Sequence, residues 1–255
     1  MKQFGTALVA VAVAIFLGSA AQAAGGGITP PSHPWVHSGI FGTFDRAALR
    51  RGAKIYNEVC AACHGLRLVA YRNLMDIGFA EAEVKAIAGE REVPAEPNDE
   101  GEIEMRPAIM SDRFVSPFPN ENAARASNGG ALPPDLSLIV KARLGGADYI
   151  HALLTGYKEE APSGIQVPEG MNYNQYFVGN MIAMAPPLVE DGVEYADGTK
   201  ATVEQMSEDV TVFLAWAAEP ELEERKRMGI KVILFLLVLT GLLYVVKRRI
   251  WSDAH

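Results

Sequence analysis

Two cysteines and a histidine carry the chemistry open to this chain. Cys60-Ala61-Ala62-Cys63-His64 holds the only two cysteines in 255 residues, two positions apart, with an imidazole directly after. Thiols at that spacing can each form a thioether to a vinyl group along one edge of a porphyrin. The histidine then falls beneath the ring, where a ring nitrogen can bind iron. Cys-x-x-Cys-His is therefore the attachment pattern of a covalently held haem c. Three other readings use the same residues. A disulfide across two intervening residues closes too short a loop to remove much chain entropy. A zinc centre needs further ligands, and there is no third cysteine. A redox-active dithiol is the serious rival. It belongs after a strand, at the opening of a helix in a βαβ unit, and no strand pattern precedes Cys60.

A haem that transfers electrons usually has a second axial ligand, often a methionine on a distant loop. Met181 and Met184 lie in the stretch from Gly170 to Pro187, with Met184 120 residues beyond His64. Pro186 and Pro187 fix φ just after Met184 and stiffen the loop. Spacing alone leaves these methionines open as ligands or as core filler. His33 and His37, in a Pro-rich lead with Trp35, read as exposed loop histidines, and His151 as a surface or packing residue.

The elements that must position these groups are mostly helical. Asp45 can cap a helix whose apolar residues Leu49, Gly52, Ile55, Tyr56 and Val59 recur at helical spacing and run into the cysteine motif. Residues 79–88 form a short helix. From Pro117 to Pro134 the chain reads as a loop. Asp135 caps a predicted helix through Arg143, stopped by Gly145-Gly146, and Asp148 to Thr155 form another. Thr202 and Gln205 make a capping-box pattern at the start of a helix to Ala218. Its stripe of Val203, Met206, Val210, Phe213 and Trp216 should pack on the first helix.

Charge narrows the partners. The formal net charge is −8, with no basic footprint for nucleic acid. Glu90 to Glu104 holds seven acids and one base, with Pro94 and Pro97 inside. That segment is either a solvated loop or a docking surface for a basic partner.

Both ends speak of export and a membrane. Lys2, the apolar run Ala7 to Leu17 and the small-x-small site Ala21-Gln22-Ala23 form a signal-peptide pattern, with cleavage after residue 23. Gly229 to Val246 is an 18-residue run with one charge, Lys231, followed by Lys247, Arg248, Arg249 and the interfacial Trp251. The reading is a leader (1–23), an exported domain (24–228), a spanning helix (229–248) and a short cytoplasmic tail (249–255).

Several stretches together resemble one family. They are Tyr56 to Gly65 around the cysteines, Asn128-Gly129-Gly130-Ala131-Leu132-Pro133-Pro134-Asp135-Leu136-Ser137, Gly145-Gly146-Ala147-Asp148-Tyr149 and Met184-Ala185-Pro186-Pro187. In this order, with a C-terminal anchor, the chain resembles the cytochrome c1 family of bacterial cytochrome bc1 complexes. The resemblance implies a mostly α, class-I-like cytochrome c domain with long loops, plus one C-terminal transmembrane helix. It implies that Cys60 and Cys63 hold one haem c, that His64 and Met184 are its axial ligands and that Arg143 faces a haem propionate. Asn128, Pro133 and Tyr149 would line the crevice. It further implies electron transfer from a Rieske iron–sulfur protein to a soluble basic cytochrome c, beside cytochrome b and membrane lipid, in the inner membrane with the haem domain periplasmic. Some bacterial members carry an extra cysteine pair that pins the region before the methionine, and this chain does not. A free-standing anchored cytochrome and a periplasmic thiol–disulfide enzyme are the rival functions.

Overall fold

The computed structural model describes residues 28–252, so the predicted leader, residues 1–23, lies outside the described residues. Along the chain come α1 (Arg46–Glu58), a 3₁₀ turn (Cys60–Ala62), a 3₁₀ helix (Tyr71–Ile77), α2 (Glu81–Gly89), β1 (Glu92–Pro94), β2 (Met105–Pro107), α3 (Glu121–Ser127), α4 (Gly146–Thr155), β3 (Asn172–Tyr173), β4 (Met181–Ile182), α5 (Val203–Ala218) and α6 (Leu222–Ile250). The fold is mostly α, as expected.

Its frame is the crossing of α1 and α5. Asp45 caps α1 through the amides of Ala47 and Ala48, and Thr202 caps α5 through the amide of Gln205. The buried face of α1 (Leu49, Gly52, Ile55, Tyr56) meets Val210 and Phe213 in one core. Gly52 permits the close approach: a Cβ there would lie 2.1 Å from the Asp209 carbonyl oxygen and 2.6 Å from Phe213 Cβ. Beside it Arg51 grips Asp209 with two nitrogens, each 2.8 Å from a carboxylate oxygen, and reaches Asp197 at 2.9 Å. Asp209 is wholly buried, so this fork is what makes the carboxylate tolerable there. Tyr56 and Tyr71 then pack on Phe114, with ring centroids 5.7 and 4.5 Å apart.

α4 lies on the other side of α5, tied by the Ser207 hydroxyl donating to the His151 carbonyl at 3.2 Å. His151 is a packing residue. His37 is a correction: it is buried and stacked on Phe44 at 4.9 Å, not an exposed loop histidine. His33 joins the same aromatic group, 4.4 Å from Trp35 and 5.0 Å from His151. The lead forms a folded lid because Trp35 Nε1 and the His33 amide both donate to Asp148.

Three further expectations change. The acidic segment is a β-ribbon: β1 and β2 pair antiparallel with Val93 opposite Arg106, and the Asn98 side chain turns the tip by accepting from the Glu100 and Glu102 amides. Within the loop from Pro117 to Pro134, Asn120 caps the short α3. The predicted helix from Asp135 through Arg143 is instead a run of turns. The physical reason is competition: the Leu136 amide is spent on the Gly65 carbonyl, and Asp135 caps neighbours from two segments rather than a helix of its own.

α6 exceeds the apolar run at both ends. It spans 29 residues and is long and apolar enough to cross a membrane, and the side chains of its apolar stretch are exposed. Pro220 precedes its first turn.

Candidate haem site

Cys60 and Cys63 sit where α1 ends. The cysteines and the alanines between them form a 3₁₀ turn at the helix C-terminus, with the Cys63 and His64 amides both donating to the Cys60 carbonyl. A reactive thiolate is favoured at a helix N-terminus, where the dipole is positive, and this is the opposite end. Burial also pushes the Cys60 thiol up to about 12, and the neighbouring Cys63 adds to the rise. Both features oppose thiol–disulfide exchange, and neither hinders thioether formation on a bound ring.

The residues after the motif are zipped to the Pro-Pro-Asp-Leu-Ser run. His64 Nδ1 lies 2.7 Å from the Pro134 carbonyl, which fixes the Nδ1–H tautomer and leaves Nε2 as the ligand atom. Burial holds the imidazole pKa below its ordinary value, although the Pro134 bond and Asp135 act the other way. A neutral ring is the form that binds iron. The Tyr56 hydroxyl donates to the His64 carbonyl at 3.0 Å. Then the Leu136 amide bonds the Gly65 carbonyl, Asp135 accepts from the Arg67 amide and Ser137 accepts from the Leu68 amide. Gly65 belongs to this zipper by size, since a Cβ would lie 2.9 Å from Asp135 Oδ2 and 3.1 Å from Ser116 Oγ. Sequence reasoning found the run as a pattern but not its purpose.

The methionine side is built differently. β3 and β4 form a two-residue antiparallel pair, with Tyr173 opposite Met181. Gly179 and Asn180 both have positive φ, 81° and 59°, and turn the chain between the strands; asparagine tolerates that region better than most residues. Asn174 is the hub. Fully buried, it donates through Nδ2 to the Leu153 carbonyl and accepts at Oδ1 from the Tyr176 and Phe177 amides. Asn180 adds side-chain bonds to the carbonyls of Asn174 and Gln175. The Tyr157 hydroxyl and Asn172 Nδ2 both donate to the Met184 carbonyl, at 3.1 and 3.4 Å. Tyr157, Asn172, Asn174 and Asn180 were not predicted from the sequence. The Gly179-Asn180 dipeptide is the one signal that could have found this hairpin. These side-chain bonds brace the loop that carries Met184.

Arg143, Pro134, Asp135, Leu138, Ile139, Ala142, Arg67 and Leu68 line one cleft. Arg143 is exposed and donates only to the Ala142 carbonyl, with no ion pair among the described residues. Burial raises the Tyr149 phenol against the opposing charge of Arg143, and burial first, then Tyr149, raises the Tyr157 phenol, whose hydroxyl bonds the Met184 carbonyl. Asn128 closes α3, its side chain donating to the Ala124 carbonyl, and no bond joins it to the cleft among the described residues. Pro133 is half-buried, directly before Pro134. Met171, Met181 and Met184 are all half-buried. The donor set fits a haem: a neutral imidazole with a fixed tautomer, thioethers on a braced hairpin, an apolar wall of Leu68, Leu138 and Ile139, and free guanidinium for the ring's carboxylates.

A model of the cytochrome C1 family matches residues 35–254. The cytochrome c1 of Rhodospirillum rubrum is 47% identical over 262 residues, covering 97% of this chain and 96% of that one. The mitochondrial cytochrome c1 heme protein of Saccharomyces cerevisiae is 53% identical over 233 residues, covering 91% of this chain and 75% of its own. A cytochrome b/c1 protein of Bradyrhizobium diazoefficiens is 46% identical across 98% of this chain, which spans only 41% of that longer protein. With the attachment motif, its zipper and the methionine hairpin all inside the matched span, the chain belongs to the cytochrome c1 family.

Proposed function

We propose that this chain is the electron-transfer subunit of a quinol–cytochrome c reductase. Cys60 and Cys63 would hold one haem c, His64 Nε2 and the Met184 thioether would ligate its iron, and Arg143 would pair with one of its carboxylates. Bound there, the haem supplies a one-electron ferric/ferrous couple. The chain's own residues tune that couple: the Pro134 carbonyl orients His64, and the thioether favours ferrous iron, which raises the potential. Electrons arrive from a Rieske iron–sulfur protein and leave to a soluble basic cytochrome c. Cytochrome b is the membrane neighbour, with the haem domain periplasmic, the leader removed and α6 spanning the inner membrane. The observation that carries this reading is the His64 bond to Pro134, which prepares Nε2 as a ligand.

The β1–β2 ribbon is the proposed landing site for the basic partner. Arg91, at its foot, donates to the Asn57 side chain at 3.1 Å, three residues before Cys60, so the ribbon is rooted beside the attachment motif. Fast charge-steered encounter slows as salt screens it. The test has two readouts. The intact protein mass should exceed the mature chain by one haem, and reduction of a basic cytochrome c should slow with ionic strength, less so once Glu96, Glu100, Glu102 and Glu104 are made Gln. A mass without haem refutes the cofactor; an unchanged salt slope refutes only the ribbon.

A further inference from the structure

A tight turn at residues 36–41 points its apolar side chains outward. Trp35 and His37 face the core, while Val36, Ile40 and Phe41 are 69%, 70% and 82% exposed. No charged side chain interrupts the turn. Its shape is fixed: the Ser38 amide bonds the Trp35 carbonyl, and Gly42 packs so closely on His37 and Ser38 that a Cβ there would lie 1.9 Å from the Ser38 carbonyl oxygen. The turn is also clamped to α6. Lys226 Nζ donates to the His37 and Gly42 carbonyls at 2.6 and 2.9 Å, while Glu223 accepts from the Phe44 amide and from both terminal nitrogens of Arg46.

That clamp sets the height of the turn. Lys226 precedes Gly229, where the uninterrupted apolar run begins, by three residues, or about 4.5 Å of helix. Helical side chains lean toward the N-terminus, so the bonded carbonyls lie at or slightly above that level. The polar layer on each side of a bilayer is roughly 5–7 Å thick. A rigid, uncharged turn carrying Phe41, Ile40 and Val36 therefore lies at headgroup depth, where an aromatic and two branched apolar side chains gain by entering the acyl boundary. Arg225 and Arg227, on the same helix turn, remain exposed although they pair with Glu219 and Glu223.

We propose that the 36–41 turn is a second membrane contact, an interfacial anchor that seats the haem domain on the lipid surface beside α6. The proposal rests on the reading of α6 as membrane-spanning. The partner is phospholipid, and the periplasmic face of cytochrome b is the competing occupant.

The test uses the intact complex in phospholipid vesicles containing anionic lipid. Single cysteines are introduced as Phe41→Cys, Glu100→Cys and Leu237→Cys and labelled with a nitroxide, since Cys60 and Cys63 are held in thioethers. Collision with oxygen, which partitions into lipid, is compared with collision with a water-soluble nickel chelate. Leu237 should read as deep and Glu100 as aqueous. Position 41 is expected between them, with an oxygen-to-nickel ratio several-fold above that at 100. A ratio at 41 equal to that at 100 overturns the proposal. Shielding from both reagents also overturns it, and assigns the turn to a protein partner. If Leu237 itself reads as aqueous, it is the spanning reading of α6 that fails.

Discussion

The two sides of the candidate haem site are held by different kinds of contact. The Cys60–His64 side grows from the α1–α5 crossing, and His64, Gly65, Arg67 and Leu68 are zipped to residues 134–137. The Met184 side hangs on a two-residue strand pair fastened by side-chain amides, above all by Asn174. Apolar burial together with a zipper of hydrogen bonds to backbone groups holds the first, and side-chain amides bonded to buried carbonyls and amides hold the second. Covalent attachment and tautomer selection need a fixed platform. A thioether ligand needs only to be kept from leaving, and a compact polar brace suffices where no disulfide is present. The difference also says where each side is vulnerable: a buried amide with several partners is costly to remove because each partner is left bare.

The largest expected effect breaks the methionine side alone. Asn174→Ala strips partners from the Leu153 carbonyl and the Tyr176 and Phe177 amides, at roughly 1–3 kcal/mol for each group left bare. In the ferric protein, the weak near-infrared band of sulfur-to-iron bonding should melt away well below the temperature at which the domain unfolds. Asn174→Asp, which keeps both acceptor bonds and loses the donor, should fall between. If the band and the fold of Asn174→Ala are lost together at the wild-type midpoint, the hairpin is not separately braced.

A smaller effect is expected on the attachment side. Tyr56→Phe deletes one hydrogen bond to the His64 carbonyl while keeping the ring packed on Phe114 and Phe213, and should cost about 1 kcal/mol in global stability. Calorimetry should show a modest fall in the midpoint, with the near-infrared band unchanged up to unfolding. Early loss of that band would mean that the two sides are coupled.

The smallest effect is in acid. The Thr199 amide first, and then Arg51, hold the Asp197 carboxyl down at about 2. Its folded pKa lies below its unfolded value of about 3.9, so its stabilisation is complete above about pH 4 and is lost as pH falls toward 2. Asp197→Asn should therefore lose less thermal stability than the wild type between about pH 4.5 and 2.5. An identical acid slope would show that Arg51 is satisfied by Asp209 alone.

Legibility in the sequence followed the type of contact. The cysteine motif, α1, α5 and the apolar α6 could be read because periodicity and capping report on burial along one helix. The zipper could not, since it joins residues some seventy apart through backbone groups that every sequence possesses. The same competition for the Leu136 amide and the Asp135 carboxylate dissolved the helix expected through Arg143. Asn174 looked like one polar residue in an aromatic loop, because a buried amide hub is defined by neighbours from α4 and from its own turn. His37 misled for a related reason: a histidine in a Pro-rich lead reads as exposed until Phe44 and Lys226 are seen to enclose it.

The central proposal is that His64 and Met184 would both ligate one haem iron, and Met184→Leu tests it most directly. Covalent haem should remain, because Cys60 and Cys63 are untouched. The near-infrared band of the ferric protein should vanish and the reduction potential should fall, at about 59 mV for each tenfold shift in the one-electron equilibrium. Met181→Leu and Met171→Leu should keep both. A Met184→Leu protein that retained its band and potential, while one of the other two lost them, would contradict the ligand assignment and the account of the hairpin built on it.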